Sequence, residues 1–167
     1  ATVHLAGMIA AYVVGSALSG LIVQDSTLQL GRRYGVVLTI EAVMLFAAIP
    51  LFRQQHLAGP LLTAMACGLQ NAMTTTYSGA LIRTSHLSGM FTDLGIMFGH
   101  AVRGMPLHRR RLALCVVIIS FFFIGGLLGA WLFARFDYGA LYLPAILTGL
   151  TGLGYGVYRH LHPPAAP

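Results

Sequence analysis

The chain of 167 residues contains no lysine, and only four of its residues are acidic. Charged residues make up 8% of the sequence, whereas a soluble globular domain carries about 25%. Hydrophobic residues reach 57%, and a water-soluble protein of this size has too little interior to hide so much apolar surface. The shortage of charge therefore argues against a soluble domain and favours an integral membrane protein.

Sequence signals for catalysis or metal binding are also scarce. The two cysteines, Cys67 and Cys115, lie inside apolar runs and form no CxxC pair, which argues against thiolate metal sites and redox chemistry. The sequence has no GxSxG, HExxH or phosphate-binding glycine loop. We therefore expect neither an enzyme nor a cofactor or metal site.

The net charge of +6 comes from ten arginines that lie mostly in short gaps between apolar runs. That distribution is the usual topology signal of a membrane protein, so we do not expect a nucleic-acid partner.

A spanning helix needs about 20 mostly apolar residues, and six segments meet or approach that length. The sequence predicts an all-α, polytopic membrane helix bundle with about six transmembrane segments. Residues 1–158 form one transmembrane domain with helices at about 3–23, 35–52, 60–79, 86–102, 112–133 and 140–158, followed by a short tail at 159–167.

Six crossings would place four arginines on one side of the membrane and six on the other, including the cluster Arg109, Arg110 and Arg111. Because basic loops favour the cytoplasm, we expect a bacterial inner-membrane protein with both termini cytoplasmic. The cluster itself has two interpretations. It is either a plain topology determinant or a site for anionic lipid headgroups.

Small residues spaced four apart indicate close helix packing, since they let two backbones approach each other in lipid. These stripes either pack within one chain or face a second copy. The expected partners are therefore the bilayer and either a homo-oligomer or a larger membrane complex. The stripes comprise Gly7, Ala11, Gly15 and Ser19 in the first helix, Gly125 and Gly129 in the fifth, and Thr148, Gly152 and Gly156 in the sixth.

A polar stretch interrupts the third apolar segment. Gln70 and Asn71 are costly in hydrocarbon unless they find partners, and the threonines at 74–76 weaken the helix. Ser85 is a suitable N-cap for the next helix. We predict a discontinuous helix pair joined by irregular backbone at membrane depth. Such backbone is stable only when it is buried in protein or lines a water-filled cavity. The alternative is an ordinary loop at the membrane interface.

Acidic residues inside the spans are the remaining candidates for function. His86, Asp93 and His100 are seven residues apart and share one helix face, but they extend too far along it to hold one ion. They are either a relay face or, for Asp93, a pair inside the bundle. Glu41 either forms a structural pair or contacts substrate. The candidate substrate- or ion-binding residues are Glu41, Gln70, Asn71, Thr75, Ser85, His86, Ser88 and Asp93.

A faint repeat relates the first two helices to the last two, with Tyr34-Gly35 matching Tyr138-Gly139. It predicts part of a duplicated unit, as in many transporters, with a first copy of segments three and four missing from the N-terminal side.

The polar segments resemble the YoaK-type family, a group of bacterial inner-membrane proteins classed as a domain of unknown function. The resemblance rests on residues 68–72 (GLQNA), 77–79 (YSG), 83–89 (RTSHLSG) and 92–95 (TDLG). It implies a polytopic membrane protein with a permease-like role, and it supplies no substrate. Family members usually carry an earlier stretch similar to this one, which is absent here.

We therefore predict a permease-like transporter of a small solute or ion through a polar intramembrane site. The alternative is a non-catalytic structural or accessory subunit of a larger membrane complex, which the small-residue stripes also fit.

Overall fold

The computed structural model describes residues 2–23, 33–77, 87–107 and 109–162. These residues form six α-helices and one short 3-10 helix, and they contain no strand, so the predicted all-α class is confirmed. The helices are α1 (Thr2–Ile22), α2 (Arg33–Arg53), α3 (Ala58–Tyr77), α4 (Leu87–Val102), α5 (Arg109–Phe136) and α6 (Tyr142–Leu161), and the 3-10 helix at Asp137–Leu141 lies between α5 and α6.

Three helical runs among the described residues are long and apolar enough to cross a membrane, as expected for a membrane protein. They are Thr2–Ile22, Arg33–Arg53 and the run of 53 residues from Arg109 to Leu161. The predicted count of about six spans is not confirmed by this result. The link between α3 and α4, which contains Ser85 and His86, lies outside the described residues, so the discontinuous helix pair stays a prediction.

The chain divides into two compact units. The larger unit combines residues 1–82 with residues 136–167, and the smaller unit comprises residues 83–135. In the larger unit α1 packs on α3, α3 on α2 and α2 on α6. Half of the most apolar stretch of α2 is buried (50%), compared with 11% for α1, which makes α2 the central helix of this unit.

Glycines allow the closest helix contacts of the larger unit. A Cβ atom built on Gly15 would lie 2.0 Å from the carbonyl oxygen of Met65, so α1 and α3 touch backbone to backbone. Gly35 on α2 and Gly152 on α6 meet in the same way. The small-residue stripes of the first and sixth helices therefore pack within the chain.

The contacts of α1 with α3 show that these two helices run in the same direction. Gly7 lies beside Leu61, and nine residues later the Ser16 hydroxyl donates a hydrogen bond to the carbonyl oxygen of Gly68 at 3.1 Å. Positions later in α1 thus meet positions later in α3.

Aromatic contacts show that α2 runs opposite to its neighbours. Tyr34, near the start of α2, meets Tyr77 at the end of α3 and Tyr155 late in α6, with ring centroids 5.5 and 5.4 Å away. Phe52, near the end of α2, stacks on Tyr138, just before α6, at 4.8 Å. The end of the unit at which these three tyrosines meet is called the tyrosine end. The end that contains Phe52 and Tyr138 is called the opposite end. Helices α1, α3 and α6 all run toward the tyrosine end.

The smaller unit consists of α4 and most of α5. Met90 and Met97 on α4 form a small buried cluster with Cys115 on α5. Elsewhere α5 is largely exposed, and Cys115 is its one buried residue. Cβ atoms built on Gly125 and Gly129 would meet no atom of the described chain within 4 Å, so this stripe is not used inside the smaller unit.

Candidate polar site

Glu41 lies at the centre of the larger unit. Positions 37–38, 41–42, 44–45 and 48–49 of α2 are buried, a helical period that turns Glu41 inward with its apolar neighbours. The side chain is 4% exposed, and its Oε2 atom has no hydrogen-bond partner among the described residues. Tyr34 and Cys67 lie within electrostatic range of its carboxyl group. A carboxyl group in this position is costly to bury.

A second polar group of the larger unit joins α1 to α3. The Asn71 side-chain amide donates a hydrogen bond to the hydroxyl of Tyr12. The Ser16 hydroxyl lies 3.0 Å from the Tyr12 carbonyl oxygen and 3.1 Å from that of Gly68. Asn71 thus finds the partner that its place in an apolar helix requires. Sequence reasoning chose Asn71 but missed Tyr12 and Ser16. The available signal was their position directly after Ala11 and Gly15, two residues of the small-residue stripe.

The other candidates on α3 are satisfied locally. The hydroxyls of Thr74, Thr75 and Thr76 donate to the carbonyl oxygens four residues earlier, and that of Thr75 bonds Asn71 at 2.8 Å. Helix α3 continues through Tyr77 in spite of the weak helix propensity of threonine, and the back-bonds satisfy hydroxyl groups that would otherwise be costly to bury in lipid. Gln70 is exposed, on a different side of α3 from Asn71.

Asp93 and Ser88 belong to the smaller unit. Both Asp93 carboxylate oxygens lie 3.0 Å from one guanidinium nitrogen of Arg111, which is the third residue of α5. Ser88 is exposed, and its carbonyl oxygen accepts a hydrogen bond from the Thr92 hydroxyl at 2.9 Å. Asp93 is therefore charge-compensated, whereas Glu41 has no such partner in the described part of the larger unit.

The candidate residues thus fall into two groups. The larger unit holds Glu41, Gln70, Asn71 and Thr75, and the smaller unit holds Ser88 and Asp93. Within residues 2–23, 33–77, 87–107 and 109–162, no three histidine, cysteine or acidic side chains cluster to hold a metal ion. Ser85 and His86 lie outside the described residues.

Residues 1–154 match a family described as protein of unknown function (DUF1275). The chain belongs to the DUF1275 family. The match covers nearly the whole chain, including every described residue of the polar site, and it confirms membership of a family of unknown function. The YoaK-type name and the bacterial origin are not confirmed by it and stay predictions. No curated protein and no solved structure matches the chain.

In this DUF1275 chain, Ser19 Oγ is, like Glu41 Oε2, a buried polar atom of the larger unit with no hydrogen-bond partner in the described residues. Ser19 is 1% exposed on α1, and sequence reasoning treated it only as a small packing residue. A serine in a glycine-alanine stripe gives no signal that separates a packing role from a polar one.

Proposed function

We propose that the chain is an integral membrane protein of the bacterial inner membrane with five crossings, made by α1, α2, α3, α5 and α6. Helix α3 finishes at the tyrosine end and α6 begins at the opposite end, so the chain between them crosses an odd number of times. The 28 residues of α5 extend about 42 Å, more than the hydrocarbon core of about 30 Å. The 16 residues of α4 extend only about 24 Å. This count replaces the six crossings expected from the sequence.

The arginine distribution supports five crossings. Eight arginines then belong to the side of the tyrosine end, and only Arg53 and Arg135 belong to the other side. Six crossings would split the same ten arginines six to four. Because cytoplasmic loops carry the excess of arginine, the tyrosine end faces the cytoplasm. The chain then has its C-terminal residues in the cytoplasm and the start of α1 on the outer side. The eight are Arg32, Arg33, Arg83, Arg103, Arg109, Arg110, Arg111 and Arg159.

Single cysteines test this topology in a variant in which Cys67 and Cys115 are replaced by alanine. We expect Gln55→Cys, in the loop after α2, to react with a membrane-impermeant maleimide in intact cells. His160→Cys should react only after the membrane is permeabilised. Labelling of both positions under the same condition would contradict five crossings. It would indicate an even number of membrane crossings between residues 55 and 160.

We further propose that the larger unit conducts a small cation or proton through the region around Glu41. One observation carries this proposal, namely a buried acidic side chain in the middle of a spanning helix with an oxygen that no described group satisfies. Ionisable groups at such depth are expensive and usually mark ion or proton pathways. Asp93 is a weaker candidate, because Arg111 already balances its charge.

Flux into proteoliposomes tests the function. The probes are H⁺, Na⁺ and K⁺, each followed with an ion-sensitive dye under an imposed gradient. We expect the wild-type chain to raise uptake of at least one of them above that of empty liposomes, and Glu41→Gln to return it to the empty-liposome level. Asp137→Asn is the matched control, because it removes an acid in the 3-10 helix between α5 and α6, and it should conduct like the wild type.

Two results would contradict the permease proposal. One is wild-type flux in Glu41→Gln, and the other is no wild-type flux for any of the three probes. The second candidate function, an accessory subunit, is favoured by the exposed glycines of α5, which offer an open face for another helix. Stoichiometric purification with a larger membrane complex would support that function instead.

A further inference from the structure

We propose that Arg103, Arg109 and Arg110 bind the phosphate headgroup of an anionic phospholipid in the cytoplasmic leaflet. This inference rests on the membrane placement of α5 given above, and it is independent of whether Glu41 conducts ions.

The charges of the smaller unit point to an external anion. Asp93 is the only acidic residue between positions 83 and 135, and its carboxylate is bonded to Arg111 at 3.0 Å. Arg103, Arg109 and Arg110 are exposed, and no acid of their own unit remains to pair with them. Three exposed guanidinium groups, close together in the sequence, therefore have no acidic counter-ion left within their own unit.

Backbone geometry keeps these arginines at the same end of the helix pair. Gly104 adopts φ 71°, a left-handed conformation that ends a helix, and the Met105 N–H bonds the carbonyl oxygen of His100 at 2.9 Å. Helix α5 then begins with Arg109 and Arg110, about 100° apart around the helix axis. The first N–H groups of α5 lack intrahelical partners and add a positive partial charge at this point.

The surface that follows the arginines identifies the anion as a lipid. Beyond its first two turns α5 presents exposed apolar side chains, among them Val116 (47% exposed) and Val117 (51%). A phospholipid places its phosphate beside the arginines and its acyl chain along these residues. A free phosphate ion would use only the arginines. Guanidinium groups suit either anion, because their paired N–H donors match two phosphate oxygens.

Native mass spectrometry of the purified full-length protein in detergent tests the proposal. Phosphatidylglycerol and phosphatidylcholine are titrated separately, and the ratio of their association constants is measured. We expect the wild type to prefer phosphatidylglycerol. The double variant Arg109→Gln/Arg110→Gln should lose about fivefold in that preference for each arginine removed. Glutamine keeps a similar helix propensity, so α5 should remain intact. The double variant Arg109→Lys/Arg110→Lys should lose less of the preference than the glutamine variant, because it retains the charge although it lacks the paired N–H donors.

A matched control removes two arginines from the other side of the proposed membrane. Arg53→Gln/Arg135→Gln loses the same net charge, and we expect it to retain the wild-type ratio. An equal loss of the preference for phosphatidylglycerol in this control would show that the preference comes from net charge, and it would overturn the proposed site. An unchanged ratio in the Arg109/Arg110 glutamine variant, with circular dichroism equal to the wild type, would also overturn it. Displacement of phosphatidylglycerol by an equal concentration of inorganic phosphate would indicate a soluble anion as the ligand and overturn the lipid assignment.

Discussion

Replacing Gly68 by alanine is expected to destabilise the larger unit, because the steric overlap alone costs about 3 kcal/mol, the upper end of the usual range for overpacking. A Cβ atom on Gly68 would lie 2.0 Å from the carbonyl oxygen of Tyr12. That atom is backbone, so a side-chain rotation cannot relieve the overlap, and α1 and α3 must separate. Separation would also stretch the bond from the Ser16 hydroxyl to Gly68 and the bond from Asn71 to the Tyr12 hydroxyl.

A smaller effect acts in the opposite direction. Alanine is favoured over glycine inside a helix by about 1 kcal/mol, so the net change is still a loss. Gly20→Ala on α1 is the matched control, because a Cβ there would meet no described atom within 4 Å. The measurement is thermal unfolding of both variants in the same detergent. Equal melting temperatures for the two variants would show that the close approach at Gly68 contributes nothing to stability.

The second large effect is expected at Glu41. We expect Glu41→Leu to raise the stability of the larger unit by about 2 kcal/mol while abolishing ion flux. The side chain is 4% exposed and packed among apolar residues, so a buried carboxyl oxygen without a hydrogen bond costs free energy that leucine does not. A residue that is retained at a cost in stability is expected at functional sites.

Thermal unfolding and flux are measured on the same preparation of Glu41→Leu. Asn71→Leu is the matched control, because it replaces another polar residue of this unit with leucine but removes a formed hydrogen bond to Tyr12. We expect that control to lower the melting temperature. A lower melting temperature for Glu41→Leu would instead indicate a structural role, in which the carboxyl group is satisfied by a group beyond the described residues.

The helical class and most helix positions could be predicted from the sequence, because apolar length in lipid leaves few alternatives to a helix. The sequence also marked the first and sixth stripes as places where helices can approach closely, but it left open whether the partner lies in the same chain or in a second copy. For the fifth stripe the same pattern was not sufficient. Cβ atoms built on Gly125 and Gly129 would meet no atom of the described residues within 4 Å. A stripe of small residues shows that two helices could approach closely there, but it does not show that a partner helix is present.

The pairing of polar groups could not be predicted in the same way. The seven-residue spacing grouped Asp93 with His86 and His100 on one face, whereas the partner of Asp93 is Arg111 on the next helix. Asn71 was chosen as a ligand, yet its amide bonds Tyr12 across the α1–α3 contact. Spacing along one helix reports which side chains share a face, and it contains no information about which helix faces them.

The amino-acid sequence by itself determined that this protein is a set of apolar helices separated by arginine-rich connections, because hydropathy and charge are local properties of the chain. Only the tertiary structure decided the directions in which those helices run. The contacts of Tyr34 with Tyr77 and Tyr155 place the ends of α3 and α6 together, and the proposed number of crossings follows from that arrangement. Likewise, the sequence placed an acid in the second helix, but the packing around α2 decided that Glu41 is buried without a described partner.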